Sequence, residues 1–293
     1  MKAVVLGNIQ DGGLPHPLCT CKQCEAARES SDHLYRSSLG IWNPETNKTF
    51  ILDASPDLPQ QLQLLKNHTE QKNTDGRTLA DGILLTHAHT GHYMGLWYAG
   101  KEALGAQAQP VYCTDTMHNF LCANQPWANM LENGYLQIRT IIPGEHFPLD
   151  RHLTALPIEV PHRNEHSDTV AYVVRSPHRA LLYLPDLDSW QSFERQFNSL
   201  MSEVDLAFID GTFFSEEELP EKTERGFDEV PHPPMTQTAA LFDKGKIDRY
   251  DAELYFIHLN HTNPMLNPNC RHSKWLKRSP LKLARQSQEF ELL

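Results

Sequence analysis

The sequence predicts an α/β protein in which strands and helices alternate along the whole chain. Short apolar runs typical of buried strands are separated by segments with helical spacing, and no internal repeat is visible. Mixed elements of this kind fit two packed sheets with helices outside. A further observation concerns chemistry: three histidines, His87, His89 and His92, directly follow one predicted strand.

Length and composition favour a soluble globular chain. With 293 residues, 40% of them hydrophobic, and a mean hydropathy of -0.51, the chain can bury a sizeable core, and we expect one domain over residues 1–293. No apolar run approaches the roughly 18 residues of a membrane span, and the apolar start is too short for a signal peptide. We therefore expect cytoplasmic residence and no membrane partner.

The charge balance excludes one class of partner. The formal net charge is -11 and the pI about 5.8, so the chain lacks the basic footprint that binding to polymeric nucleic acid requires. Basic residues gather only between Arg271 and Arg285, a run that more often forms a solvated face than a binding patch. The expected partner is a small-molecule substrate, and a homodimer stays open.

The first half of the chain is predicted to contain four strands and two helices. The strands are expected at residues 2–6, 37–43, 49–53 and 82–85, the first helix from Pro56 and the second through Trp97 to Leu104. Ser55 is the expected cap of the first helix, with Pro56 at its first position and leucines recurring on one face. The polar segment 67–81 is predicted to be a loop with a disordered tip.

Strands and helices are also predicted to alternate in the second half of the chain. Strands are predicted at residues 110–114, 153–160, 168–175, 180–184, 205–210 and 253–258, and helices near 115–124, 188–202 and 235–244. The acidic, then proline-rich stretch 215–234 is predicted to be a long loop.

The histidine block indicates a metal site. A strand that ends in His-x-His presents both rings on one face, because side chains alternate along a strand. The turn after His89 then brings His92 to the same cavity. Neutral imidazole is the commonest metal ligand and suits zinc and iron(II).

This block resembles the His-x-His-x-Asp-His signature of the metallo-β-lactamase superfamily. Gly91 is the one departure, since it stands where the superfamily has the aspartate of its second metal site. Single residues at later predicted strand ends, His162, Asp186 and His258, continue the superfamily's ligand order. The resemblance implies the four-layer αββα sandwich of that superfamily.

The resemblance also implies a ligand set. His87, His89 and His162 would bind the first metal, Asp186 would bridge, and His92 with His258 would bind the second metal. His166 competes with His162 for the third histidine role, although His162 lies directly beyond its strand. Because Gly91 offers no carboxylate, the site is mononuclear, its second metal is weak, or His232 or Asp188 fills the gap. We predict a weak second metal that Gly91→Asp would strengthen.

Such a ligand set supports hydrolysis. A zinc ion, or Mn²⁺ or Fe²⁺ in its place, would lower the pKa of bound water toward neutrality and polarise a carbonyl or phosphoryl oxygen. Asp186 and His258 are therefore catalytic candidates. Asp53 resembles the superfamily's buried aspartate that braces the histidine loop; alternatively it is a surface residue flanking a helix.

A cysteine cluster indicates a second, structural metal. Cys19, Cys21 and Cys24 form C-x-C-x₂-C in a chain where disulfides would be unusual, and they leave one tetrahedral zinc position vacant. In the related cyclic phosphodiesterase of phosphonate breakdown, a similar cluster pairs with a histidine three residues after the last active-site histidine. His261 has that position here. The alternative is free thiols.

Over nearly its whole length the chain resembles the coenzyme PQQ synthesis protein B family. The matching pieces are Leu6-Gly7 with Gly12-Gly13 and Pro15, Asp53-Ala54-Ser55-Pro56-Asp57 with Gln61-Leu62, Asp210-Gly211-Thr212 with Glu216-Glu217, and Ile257-His258-Leu259-Asn260-His261-Thr262-Asn263-Pro264. That family has lost the His-x-His pair, which this chain keeps.

Three functions follow from these patterns. The retained pair favours a metal-dependent hydrolase of a small anionic ester, acyl compound or cyclic phosphodiester. The alternatives are a role like that of PQQ synthesis protein B, including an iron-dependent hydroxylase, and a non-catalytic carrier or metal-binding protein. A carrier does not need an open metal position.

Overall fold

The computed structural model describes residues 1–30, 33–70, 77–218, 232–246, 250–277 and 279–292. Within these ranges the strands form two seven-stranded sheets. The strands of the first sheet are β1 (Lys2–Gly7), β2 (Ser38–Asn43), β3 (Lys48–Leu52), β4 (Gly82–Leu84), β5 (Gln109–Cys113), β6 (Leu136–Thr140) and β14 (Glu289–Glu291). Those of the second are β7 (Phe147–Pro148), β8 (Thr154–Glu159), β9 (Val170–Arg175), β10 (Ala180–Leu184), β11 (Leu206–Asp210), β12 (Glu253–Ile257) and β13 (Leu281–Leu283).

The two sheets share one pattern of strand directions. Their spatial orders are β14-β1-β2-β3-β4-β5-β6 and β13-β12-β11-β10-β9-β8-β7. Strands β3 to β6 run parallel in the first sheet, β10 to β13 run parallel in the second, and the remaining pairs are antiparallel. Parallel strands end at the same edge of a sheet, so each sheet has one edge where loops gather.

Helices cover both outer faces. They are α1 (Lys22–Glu29), α2 (Leu58–Asn67), α3 (Thr90–Tyr93), α4 (Asp115–Ala123), α5 (Trp127–Glu132), α6 (Glu194–Met201), α7 (Met235–Asp243) and α8 (Ser273–Leu276), with 3₁₀ turns at Met94–Ala99, Glu216–Glu218 and Pro264–Leu266. In the described part of the chain, no helix is long and apolar enough to cross a membrane.

Three apolar layers hold the sandwich together. Strand alternation sends Phe208 between the sheets and Ile209, its neighbour, outward toward the helices. The inter-sheet layer also contains Ile41 and Tyr172, both fully buried. Outside the first sheet, the α2, α4 and α5 side chains pack on strand residues, and α6 and α7 do so outside the second. The predicted αββα arrangement is therefore confirmed.

Two helix predictions need correction near the site. Helix α2 begins at Leu58, not Pro56, and Asp57 is the residue that flanks it; the Ser55 hydroxyl accepts from the Asp57 amide and donates to the Gln61 side chain in the turn just before the helix. The helix expected through Leu104 ends as a 3₁₀ turn at Ala99. Gly100 after it is extended, and at the start of the turn the Gly95 N–H donates to the Ala54 carbonyl outside the turn; a Cβ at Gly95 would lie 2.2 Å from the Ser55 carbonyl oxygen.

Other helices and strands differ from the predicted ones where the sequence pattern is weak. The helix predicted over 188–202 begins only at Glu194. At the predicted start, the Asp188 amide donates to the Pro161 carbonyl and not along a helix, and the Trp190 indole N–H donates to Thr238. Elements that were not predicted are α1, α5, α8, β6, β7, β13 and β14. They are short, with few buried positions, so their apolar pattern is weak. The tip of the loop 67–81 and most of the loop 215–234 lie outside the described residues.

Candidate metal centre

The functional side chains lie where the parallel strands of both sheets end. From the first sheet, β3 leads to Asp53 and β4 leads to the histidine block. From the second, β10 leads to Asp186 and β12 to His258. The Val170 amide of β9 donates to the Thr86 carbonyl at 3.0 Å and so joins the two edges. Both sheets therefore contribute residues to the site.

One group of imidazoles has the spacing of metal ligands. The ligand nitrogens of His87, His89 and His162 all lie within 4.8 Å of one another, and His162 Nε2 lies 3.2 Å from His89 Nδ1. Two nitrogens bound to one tetrahedral zinc at the usual bond length are about 3.3 Å apart. His166 does not join this group; its ring lies 5.6 Å from Phe120.

Polar partners fix the outward nitrogens of this group. His162 Nδ1 lies 2.8 Å from Asp188 Oδ1, and His89 Nε2 lies 3.2 Å from Glu165 Oε2. When one imidazole nitrogen donates to a carboxylate, the other is left as a neutral ligand with a fixed direction. Asp188 therefore supports the first group and does not fill the second metal position.

Asp53 supports the histidine block through contacts with Thr86 and His92. Its carboxylate is fully buried and accepts from the Thr86 amide at 2.8 Å, from the Thr86 hydroxyl at 2.9 Å and from His92 Nδ1 at 2.7 Å. The Thr86 oxygen is then free to accept from His87 Nδ1 at 2.9 Å. The alternative of a surface Asp53 is excluded, and Thr86 is a supporting residue that the sequence analysis missed.

Asp186 faces both groups of imidazoles. Its Oδ1 lies 3.7 Å from His162 Nε2 and 3.6 Å from His258 Nε2, and its Oδ2 lies 3.3 Å from His92 Nε2. Burial alone would raise the pKa of this carboxyl, but the positive charge available on His258 and His92 holds the pKa well below its usual range. An ionised carboxylate between two groups is the arrangement of a bridging ligand.

A carboxylate that was not predicted stands in the second group. Asp11 Oδ1, from the loop after β1, lies 3.1 Å from His92 Nε2 and 3.5 Å from His258 Nε2. Burial raises the pKa of Asp11, yet the charge on His92 and the contact with His258 bring it well below its usual value. The neighbouring Gly12 and Gly13 were noted in the sequence, but nothing placed Asp11 near residues 80 positions or more away.

A second brace supports His258. The Thr212 hydroxyl donates to Asp210 Oδ1 at 2.8 Å and lies 3.0 Å from His258 Nδ1. The other oxygen of Asp210 lies 2.6 Å from His232 Nδ1, while that nitrogen is 4.0 Å from Asp186. His232 groups with Asp186 and His258 within 4.8 Å, but its Nδ1 is already used by Asp210.

The backbone is strained at the same places. Asp53 and His258 both have φ of 65°, and His232 has φ of 96°, in the left-handed region that side chains rarely adopt. Each such residue costs about 1–3 kcal/mol and persists only where its surroundings fix it. The same conformation also occurs away from the site, at Leu18, Asn47, Ala108, Tyr250 and Ser287, so three of the eight such non-glycine residues in the described ranges lie at the site.

The residues present fit divalent cations. Among the described residues, His87 Nε2 is a buried polar atom without a hydrogen-bond partner, and His92 Nε2 and Asp186 Oδ2, although 3.3 Å apart, are not aligned as a hydrogen bond. Burial lowers the pKa of His87 well below its usual value, which leaves the neutral ligand form. Burial also acts to lower the pKa of His92, but the charges of Asp53, Asp186 and Asp11 raise it well above its usual value. The carboxylates of the site therefore favour a positive charge there, which a bound cation would supply.

The cysteine cluster is also assembled. The thiols of Cys19, Cys21 and Cys24 lie 3.7, 3.7 and 3.4 Å from His261 Nδ1. A sulfur and a nitrogen bound to one tetrahedral zinc are about 3.6 Å apart, from Zn–S and Zn–N bonds of about 2.3 and 2.0–2.1 Å. The structure thus brings together all four residues of the predicted structural site.

The fold and this arrangement of His and Asp residues define a protein of the metallo-β-lactamase fold. The model of the beta-lactamase superfamily domain matches residues 48–259, and the chain belongs to that superfamily. It is 26% identical to coenzyme PQQ synthesis protein B of Acinetobacter baumannii (strain ACICU) over 314 aligned positions that cover 100% of both chains.

Two solved structures share the fold. Zn²⁺-bound PqqB from Methylobacterium extorquens superimposes with a TM-score of 0.82 at 21% identity, covering 100% of both chains. A diphosphatase from the PhnP family superimposes with a TM-score of 0.67 at 19% identity, covering 99% of this chain and 97% of that one.

Proposed function

We propose that this protein is a metal-dependent hydrolase of a small anionic ester, acyl compound or phosphodiester. The observation that supports it most is the pair of facing ligand groups, His87–His89–His162 and His92–His258, with Asp186 between them at spacings that suit shared metal ions. A diphosphatase of the PhnP family shares this fold, and that supports a phosphate-containing substrate among the candidates.

The first group would hold one ion and the second group another. A bound zinc would act as a Lewis acid toward a carbonyl or phosphoryl oxygen and lower the pKa of water at the site. The protein's own contribution is orientation: Thr86 and Asp188 fix the directions of His87 and His162. Mn²⁺ and Fe²⁺ also accept imidazole and carboxylate ligands.

His232 would handle a proton. Its Nδ1 is held by Asp210, and its ring centroid lies 5.4 Å from the ring centroid of His162 and 5.7 Å from that of His258. Because Asp210 fixes Nδ1, the other ring nitrogen can give a proton to a leaving group or accept one. In this proposal His232 is a proton carrier and not a ligand.

The test is hydrolysis by defined metal forms. Protein stripped of metal and reloaded separately with Zn²⁺, Mn²⁺ or Fe²⁺ should cleave a chromogenic phosphodiester or carboxyl ester with at least one ion. His87→Ala should abolish this activity and keep the fold, whereas His178→Ala, in an exposed turn between β9 and β10, should not change it. Absence of hydrolysis with every metal and both ester classes would refute the proposal.

The second candidate is a role like that of coenzyme PQQ synthesis protein B. The similarity to that protein over the full length of both chains favours it. An iron-dependent hydroxylase would be purified with iron rather than zinc and would consume oxygen. Metal analysis of the purified protein and an oxygen-electrode assay with candidate quinone precursors separate it from the hydrolase.

A further inference from the structure

Asp11 occupies the space that a side chain at position 91 would fill. A Cβ built on Gly91 would lie 2.1 Å from Asp11 Oδ1, 2.7 Å from its Cγ and 3.0 Å from its Cα. Real Cβ atoms do not come that close to other atoms, so a side chain at position 91 and the present position of Asp11 exclude each other. The absence of a side chain at position 91 is therefore coupled to the presence of Asp11.

The Asp11 carboxylate also has the contacts of a ligand. Its Oδ1 lies 3.1 Å from His92 Nε2 and 3.5 Å from His258 Nε2, and the three ligand atoms all fall within 4.8 Å. An oxygen and a nitrogen bound to one tetrahedral zinc are about 3.3–3.5 Å apart. The side chain is 22% exposed, whereas the two imidazoles are 1% exposed, so Asp11 closes the group on its solvent side.

The loop that carries Asp11 is fixed from two sides. The Gln10 amide donates to the Leu259 carbonyl at 2.9 Å, which pairs this loop with the segment directly after His258. On the other side, Arg36 Nε donates to the Asp11 carbonyl at 2.7 Å. The position of Asp11 therefore does not depend on its own carboxylate.

We propose that Asp11 supplies the carboxylate of the second metal position in place of residue 91. This inference rests on the metal centre proposed above. The second ion would then have four ligands, Asp11, His92, Asp186 and His258. Gly91 is needed because a side chain at this position would collide with Asp11. It also reverses our expectation for Gly91→Asp: the new side chain would displace Asp11 instead of completing an unfilled site.

The experiment measures metal binding instead of turnover. The full-length protein and each variant are stripped of active-site metal, titrated with Zn²⁺ by calorimetry and analysed for bound metal after dialysis. The parent should bind two active-site ions in addition to the structural zinc. Asp11→Asn should weaken the second ion by at least about tenfold and spare the first, since even supporting partners of metal ligands are worth 10–100-fold in affinity.

Gly91→Ala provides an independent variant. Alanine cannot bind metal and favours helix, so it should affect the second ion only by pushing Asp11 aside. Its effect and that of Asp11→Asn should therefore not add in the double variant. Asp115→Asn, the same change at an exposed residue of α4, is the matched control and should bind both ions like the parent.

The outcomes separate this inference from the proposed function. Equal affinity for both ions in the parent and Asp11→Asn, at unchanged melting temperature, would overturn the role of Asp11. A parent that binds a single active-site ion would overturn it as well. If Asp11 controls the second ion but no ester is cleaved, the inference stands and the hydrolase proposal fails.

Discussion

Asp53 and Asp210 have equivalent positions in the two sheets. Asp53 directly follows β3 and Asp210 is the last residue of β11, and each carboxylate accepts from a threonine hydroxyl and lies against a histidine Nδ1. The threonine in turn contacts a second histidine, His87 in one case and His258 in the other. Each sheet therefore contributes one Asp–Thr–His brace. The first brace contacts one ligand of each group, His87 and His92, and the second contacts His258 of the second group.

The two braces predict different effects on the two ions. Thr86→Val removes a hydroxyl that contacts Asp53 and His87 while keeping the side-chain shape, so it should weaken the first ion by about 10–100-fold. The second ion should weaken less, because Asp53 still lies 2.7 Å from His92 Nδ1. Thr212→Val should do the same to the second ion through His258. Zinc titration of the two variants checks this. Thr86→Ser and Thr212→Ser keep the hydroxyl and serve as controls; the same loss in Val and Ser variants would contradict the hydroxyl's role.

Much of the site was predictable because its residues follow strands. An apolar run followed by His or Asp marks both a buried strand and a residue that emerges at the sheet edge, and His87, His89, His162, Asp186 and His258 all have such positions. Each position alone is unremarkable; the resemblance of their order to the ligand order of the superfamily singled them out. Asp11 was not predictable in this way, since its loop reaches the site only through the pairing of Gln10 with Leu259, a contact between distant parts of the chain.

The missed elements have a similar cause. Strand β6 buries only its first residue, Leu136, so its sequence lacks the alternation that indicates a half-buried strand. Strands β13 and β14 contain three residues each and lie at sheet edges. Neighbouring strands, not local propensity, determine their conformation.

The free cysteines should differ sharply in reactivity. Burial raises the pKa of the Cys113 thiol to about 12, with Asp168 and Asp115 adding to the effect, whereas Cys122 is exposed. Because the thiolate is the reactive form, an alkylating reagent at pH 8 should modify Cys122 and leave Cys113 intact until the protein unfolds. Peptide mass spectrometry of native and denatured samples measures this. Rapid modification of Cys113 in the native protein would show that its strand opens readily.

His232 should be needed for turnover and not for metal binding. Its Nδ1, the nitrogen that lies 4.0 Å from Asp186, is held 2.6 Å from Asp210, so we expect His232→Gln to leave both active-site ions bound with parental affinity. If His232 moves a proton during hydrolysis, kcat should fall by about 10²–10⁴-fold with KM little changed. Metal analysis and steady-state kinetics on the same preparation give both quantities. Loss of an ion from His232→Gln would instead identify the residue as a ligand.

The cysteine cluster should be a structural zinc site whose loss reaches the active site. Cys19, Cys21 and Cys24 lie beyond Asp11 in the amino-terminal loop and at the start of α1, and His261 lies three residues after His258, so one zinc would tie both segments together. Structural zinc contributes on the order of 10 kcal/mol to folding. Cys21→Ser should therefore lose one tightly held zinc, lower the melting temperature and weaken the second active-site ion. Cys122→Ser, an exposed cysteine outside the cluster, is the control and should change none of these. Unchanged zinc content and melting temperature in Cys21→Ser would show that the four side chains meet without holding a metal.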